Sequence, residues 1–348
     1  MAKGLDVGTA FIVGARKIDK ETKFFSIRDA FFKMPPGGLI EQMLINMQIS
    51  YVKPKGKNDL YIIGDEAMEF ALKFQEGILN RPMAAGTVNK DETEAVEILK
   101  IMFKSVLGSP SKMNEEMLYY SVPADPVDSE RDTIYHGDVL EIILGRYDED
   151  PKSEYKGLGY KVKRMNEASA IVFSELADYD YTGMAISFGA GMVNVCLSFM
   201  SAPVMNFSVV RSGDYIDKKA AQESGLTPTQ ICQIKEREID LRNVDYSKQG
   251  HGQIYIYYRN LLKYVIGHIC NQFQKTKQGI AFGSEIPIVV SGGTSKVPGF
   301  EEMFEEIFME AVNEGKFPLK PSKVIKAKDP LTAVANGCYL CAEMEENK

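Results

Sequence analysis

The chain has 348 residues, 45% of them hydrophobic and 26% charged, with a net charge of −7. This is the balance of a globular protein with about two domains, each able to bury its own core. The negative charge argues against non-specific binding to nucleic acid or acidic membranes, and the absence of an apolar run of about 18 residues argues against a transmembrane helix.

Residues 5–15 alternate and read as a strand, with Lys23–Arg28 as its partner. This start leaves no room for a signal peptide, so the expected location is the cytoplasm. Residues 31–80 read as a small inserted subdomain, broken by Met34-Pro35-Pro36-Gly37-Gly38 and by the basic loop Lys53–Lys57, expected to be solvated. Asp91–Leu107 has helical spacing, with Asp91 or Thr93 as cap and Gly108-Ser109-Pro110 as stop. Met117–Val122 reads as a buried strand, Asp128–Leu144 as a helix, Asp148–Gly159 as a polar loop, residues 160–165 as a strand and Glu167–Ala177 as a helix crossing between two halves.

The second half repeats the scheme. Met184–Phe199 and Val204–Val210 read as strands, and Asp217–Ser224 and Thr227–Asp240 as helices, the latter capped by Thr227-Pro228. Gln253–Thr276 is a long helix, Ile286–Val290 a strand, Gly299–Val312 a helix, and a final helix of small residues runs to about Glu345. Cys196, Cys232, Cys270, Cys338 and Cys341 are odd in number and scattered, unlike a disulfide framework. Cys338-x-x-Cys341 reads as small apolar residues one helical turn apart, since no second Cys/His pair completes a metal site.

Three glycine-rich segments carry the chemistry: Gly4-Leu5-Asp6-Val7-Gly8-Thr9-Ala10, Ile186-Ser187-Phe188-Gly189-Ala190-Gly191-Met192, and Ser291-Gly292-Gly293-Thr294 within Val289–Gly299. Each adjoins an apolar run that reads as a buried strand. A glycine turn after a strand presents backbone N–H groups to an anion. Asp6 would repel a phosphate directly, so its place suits a Mg²⁺ that keeps most of its waters. The ordered set points to two duplicated halves closing on one nucleotide.

At these residues the sequence resembles the actin/Hsp70/sugar-kinase ATPase superfamily, and within it the prokaryotic actin-like proteins of the MreB group. Asp6-Val7-Gly8-Thr9-Ala10 is similar to their first phosphate motif. Arg81-Pro82-Met83-x-x-Gly86-x-Val88 resembles the segment returning from the small domain. Val122-Pro123-Ala124 with Ser129-Glu130-Arg131, Arg211-Ser212-Gly213-Asp214, Ile234-Lys235-Glu236 and Asp329-Pro330-Leu331-Thr332-Ala333-Val334-Ala335 resemble further family elements. The resemblance covers essentially the whole chain. It implies an α/β, duplicated actin-like (ribonuclease H-like) fold. Lobe I would span 1–166, with its insertion at about 31–80. Lobe II would span 167–334, with a small subdomain at about 216–280, and 335–348 would be a helix packing back on lobe I.

The resemblance also implies ATP and Mg²⁺ as ligands. Asp6 would order the waters of the Mg²⁺. Gly8, Thr9 and Ala10 and Gly189, Ala190, Gly191 and Met192 would clamp the β- and γ-phosphates. Gly213 and Asp214, in the turn before the second small subdomain, would also contact the nucleotide. Lys235 and Glu236 would reach ribose and adenine unless they form a solvated helix face, and Gly292, Gly293 and Thr294 would line the adenosine. Glu167 would orient the attacking water; its alternative is a carboxylate complementing a helix dipole. Ser187 stands where the family's second phosphate motif has aspartate, and Met192 where it has threonine, so hydrolysis is expected to be slow. The leading reading is a filament-forming cytoskeletal ATPase whose partner is itself, with a cargo or adaptor protein besides. The alternatives are a nucleotide-switched scaffold of the FtsA or PilM kind and a metabolic kinase of the same superfold. No direct nucleic-acid or membrane binding is expected.

Overall fold

A computed structural model describes residues 1–53, 58–73, 79–275, 285–319 and 321–347. The basic loop, apart from Lys53, and the last part of the expected 216–280 subdomain lie outside the described residues. The chain starts with β1 (Lys3–Val7), β2 (Phe11–Ile18) and β3 (Glu21–Arg28). It continues through β4 (Phe31–Met34), α1 (Gly38–Asn46), β5 (Tyr51–Val52), β6 (Leu60–Ile63) and α2 (Asp65–Lys73). The hairpin β7 (Met83–Ala84) and β8 (Thr87–Val88) leads to α3 (Ala95–Leu107), β9 (Met117–Val122), α4 (Thr133–Leu144) and β10 (Lys161–Asn166). The second half runs α5 (Glu167–Glu175), β11 (Gly183–Phe188), β12 (Val193–Phe199), β13 (Ala202–Val209), α6 (Gly213–Ser224) and α7 (Pro228–Arg237). It closes with α8 (His251–Lys275), β14 (Ile286–Ser291), α9 (Phe300–Asn313), β15 (Pro321–Lys326) and α10 (Ala333–Glu346).

Two five-stranded sheets repeat one topology, β3-β2-β1-β9-β10 and β13-β12-β11-β14-β15. In each, a three-strand antiparallel meander is extended by two parallel strands reached through helices, as parallel pairing requires. Residues 5–15, read above as one strand, are two. Gly8 N donates to Phe11 O at 3.2 Å and reverses the chain, so Asp6 pairs with Val13. β15 was not foreseen. Its sequence Pro-Ser-Lys-Val-Ile-Lys has little apolar content because it forms the sheet edge.

Helix starts shift for local reasons. The helix expected from Asp91 begins at Ala95, because the Asn89 side chain accepts from Asp91 N and turns the chain. The helix expected from Asp128 begins at Thr133, with Asp132 accepting from Tyr135 N at 2.9 Å, while the Asp128 carboxylate is bound by Val210 N. Helix α6 starts earlier than expected, at Gly213. Thr227 and Gln230 form a reciprocal capping box ahead of α7, with Pro228 in its first turn.

The chain crosses between lobes twice. Helix α5 leaves the first sheet and packs on β11 and β12; α10 leaves the second and packs on β1 and β9 and against α5. A Cβ on Gly337 would lie 1.9 Å from Ala170 O, so the α5–α10 contact requires glycine there. Cys338 and Cys341 are buried and free within this contact region. The insertion is a three-stranded sheet, β4-β6-β5, with α1 and α2, and α2 touches α7 across the cleft. Among the described residues no helix is long and apolar enough to cross a membrane.

Candidate functional site

The duplicated hairpins face one another across a cleft of about 520 Å³. In the first, Gly8 N donates to Phe11 O at 3.2 Å; in the second, Gly189 N donates to Met192 O at 3.1 Å. Ser187 therefore occupies in β11 the place Asp6 holds in β1, two residues before the turn. Gly8, Thr9 and Ala10 line one wall, and Gly189, Ala190, Gly191 and Met192 the facing one. A Cβ on Gly191 would lie 2.2 Å from both Thr9 Oγ1 and Gly86 N, so the two turns approach as closely as backbone permits. The Thr9 hydroxyl accepts from Gly86 N at 2.9 Å.

The acids sit at the deep end. Asp6 Oδ1 accepts from Ser121 Oγ at 2.7 Å, and burial, partly offset by that bond, pushes its carboxyl up to about 6. Glu167, the first residue of α5, is 9% exposed, and burial first and the Asp6 charge second push it up to about 8. Ser187 Oγ donates to Glu167 Oε2 at 3.3 Å. Among the described residues no three His, Cys, Asp or Glu side chains group as an all-protein metal site would need. Among the described residues nothing donates to Asp6 Oδ2, and the side chain fits a Mg²⁺ held by one carboxylate, its waters and phosphate oxygens.

The other wall is a chain of alternating charges. Lys235 Nζ lies 2.7 Å from Asp217 Oδ1 and donates to Gly213 O at 3.2 Å. Burial works against the Lys235 charge, but the Asp217 carboxylate outweighs it and the pKa is raised. Glu236 accepts from Arg28 Nη1 at 3.2 Å and Nη2 at 2.8 Å. Both side chains line the cleft as the resemblance implies, yet their charged ends are engaged by protein groups. Asp214 lines the cleft bound to Arg81, whereas Gly213 lies behind the wall with its N–H on Gly189 O at 3.1 Å. Gly292, Gly293 and Thr294 line the far end, where Thr294 Oγ1 donates to Gly189 O at 2.8 Å and Gly292 N to Pro330 O at 3.0 Å.

Sequence reading missed Phe11, Arg28, Asp217 and Cys232 at or beside the cleft, and did not assign Arg81 to the site. Arg28 and Asp217 carry no local mark because their partners, Glu236 and Lys235, lie on other elements.

Two lobes of one topology around a cleft lined by paired glycine turns define an actin-like fold of the MreB and MamK type. Solved structures with this fold include a MamK double helical filament (17% identity, 98% of each chain covered, TM-score 0.68). MreB5 of Spiroplasma citri bound to AMPPNP is 14% identical, with 99% and 96% covered and TM-score 0.68. The archaeal actin homologue Ta0583 is 16% identical, with 99% and 100% covered and TM-score 0.60. The chain belongs to the Volactin family, whose sequence model matches residues 1–342. No curated protein matches it by sequence.

Proposed function

We propose that this protein binds ATP with Mg²⁺ in the interlobe cleft and polymerises into cytoskeletal filaments in the cytoplasm. The observation that carries the reading is the pair of equivalent turns, Gly8–Phe11 and Gly189–Met192, opposed across one cleft. Turn N–H groups from both lobes suit a polyphosphate, so binding would stabilise closure of residues 1–166 against 167–334. Mg²⁺ would neutralise phosphate charge and supply ordered water. Asp6 would hold that hydration shell, and Gly292, Gly293 and Thr294 would border the adenosine. The nucleotide-bound MreB5 and the filament form of MamK make the same reading natural for this fold. Head-to-tail contacts between copies would be heterologous and open-ended, as filaments require.

Glu167 would accept a hydrogen bond from the attacking water. Burial and the Asp6 charge raise its pKa and favour the protonated carboxyl, and a nearby cation would draw the proton off. Ser187 supplies a hydroxyl where the resemblance leads one to expect a second carboxylate, so turnover is slow. The same residue favours a second reading, a nucleotide-switched scaffold that binds a partner and hardly hydrolyses. ATP affinity measured with and without Mg²⁺ tests the first step. Wild-type binding should strengthen with Mg²⁺, and Asp6→Asn should lose most of that gain; equal Mg²⁺ dependence in both would remove Asp6 from the metal side.

A further inference from the structure

We propose that Arg81 recognises the terminal phosphate of a bound nucleoside triphosphate and that Asp214 competes for the same guanidinium. The inference rests on the nucleotide-binding reading above. Arg81 stands between Asn80, bridged to Phe31, and Pro82, and its carbonyl accepts from Asn89 Nδ2 at 3.1 Å, so its backbone is fixed. Its side chain lines the cleft. Nη1 alone is used, at 3.0 and 3.2 Å from Asp214 Oδ1 and Oδ2; among the described residues Nε and Nη2 donate no hydrogen bond. The Arg81 and Asp214 side chains are 25% and 21% exposed, open enough for a ligand to reach.

Two contacts hold the backbone of its partner Asp214 and of its own segment beside the second phosphate turn. Asp214 N donates to Ala190 O at 2.8 Å. On the other side, Gly86, farther along the segment that carries Arg81, packs so closely on Gly191 that a Cβ there would lie 2.2 Å from Gly86 N. Of the other cations on the cleft wall, Lys235 is held by Asp217, while Arg237 and Lys296 are exposed at the end of α7 and in the turn after β14. Arg81 thus combines unused donors with nearness to the turn. A guanidinium edge matches two phosphoryl oxygens, and a terminal phosphate, more highly charged than a carboxylate, would win it from Asp214.

The test is the affinity of fluorescent mant-ATP and mant-ADP, each with Mg²⁺, for wild type, Arg81→Gln, Arg81→Lys and Asp214→Asn. Arg81→Gln should weaken mant-ATP about 10–100-fold and mant-ADP by less than about threefold, the range of a lost charge-assisted bond. Arg81→Lys should fall between. Asp214→Asn should tighten mant-ATP, because the competitor is gone. A mere latch between lobes predicts instead that both variants weaken both nucleotides alike, and that result overturns the proposal. Thermal unfolding checks each fold; if Arg81→Gln does not fold, Arg81→Lys and Asp214→Asn must still shift mant-ATP in opposite directions or the proposal fails. A wild type that binds neither nucleotide overturns the nucleotide reading and this inference together. A wild type that binds both, with its ATP/ADP ratio unchanged by Arg81→Gln, overturns this inference alone.

Discussion

Arg28 of β3 and Glu236 of α7 join the two lobes through paired hydrogen bonds of 3.2 and 2.8 Å, although 208 residues separate them. The guanidinium also lies 4.4 Å over the Phe11 ring and 2.7 Å from Asp65 Oδ1, so it is fixed before it meets Glu236. Its side chain is only 7% exposed, while that of Glu236 is 30% exposed. The pair therefore falls between a surface ion pair and a fully buried one, worth about 1–2 kcal/mol to closure. Arg28→Ala should speed nucleotide release roughly tenfold, read by chasing mant-ATP with unlabelled ATP. An unchanged rate would mean that the pair does not help hold the cleft shut.

Ser187 Oγ lies 3.3 Å from Glu167 Oε2 and shares the deep end of the cleft with Asp6. Ser187→Asp adds a third carboxylate where two already have raised pKa values. Without Mg²⁺ the variant should melt several degrees below wild type, through like-charge repulsion. With Mg²⁺ and ATP it should release phosphate faster. Steady-state phosphate release no faster than wild type would count against the proposal that Ser187 limits turnover.

His136 of α4 is buried, its Nδ1 accepting from Val88 N at 3.2 Å, and burial lowers its pKa from 6.5 to about 4. A depressed histidine stabilises the fold above the unfolded value of about 6.5, and that stability is lost as pH falls through the folded value. The full loss is about 3 kcal/mol by linkage. Urea unfolding at pH 7 and at pH 4.5 should therefore show a larger drop for wild type than for His136→Gln. Parallel drops would mean that other groups govern acid sensitivity.

Gly337 on α10 meets Ala170 O on α5 with no room for a methyl group. Gly337→Ala should cost about 1–3 kcal/mol by forcing the helices apart. Calorimetry should show a melting point several degrees lower, and an unchanged one would mean that the helix contact yields freely.

Much of the fold is legible because local signals agree with the topology. Gly8 and Gly189 mark the turns, Thr227-Pro228 marks a helix start, and the helical spacing of Ile98, Leu99, Met102 and Phe103 marks the buried face of α3. The turns of the candidate site were legible for the same reason. What was not legible depends on distant partners. Arg28 reads as an ordinary end-of-strand cation until Glu236 is brought to it, and the ion pair of Lys235 with Asp217 shows only once α6 and α7 are packed together. Edge strand β15 escaped notice because half-exposed backbone pairing needs no apolar pattern.

The central claim, that ATP in the cleft drives assembly, is tested most directly by negative-stain electron microscopy. Purified protein would be imaged with Mg²⁺ and ATP, with Mg²⁺ and ADP, and with no nucleotide, across a concentration series. Filaments formed mainly with ATP are the predicted result. Monomers or closed oligomers in every condition would contradict it and favour the nucleotide-switched scaffold.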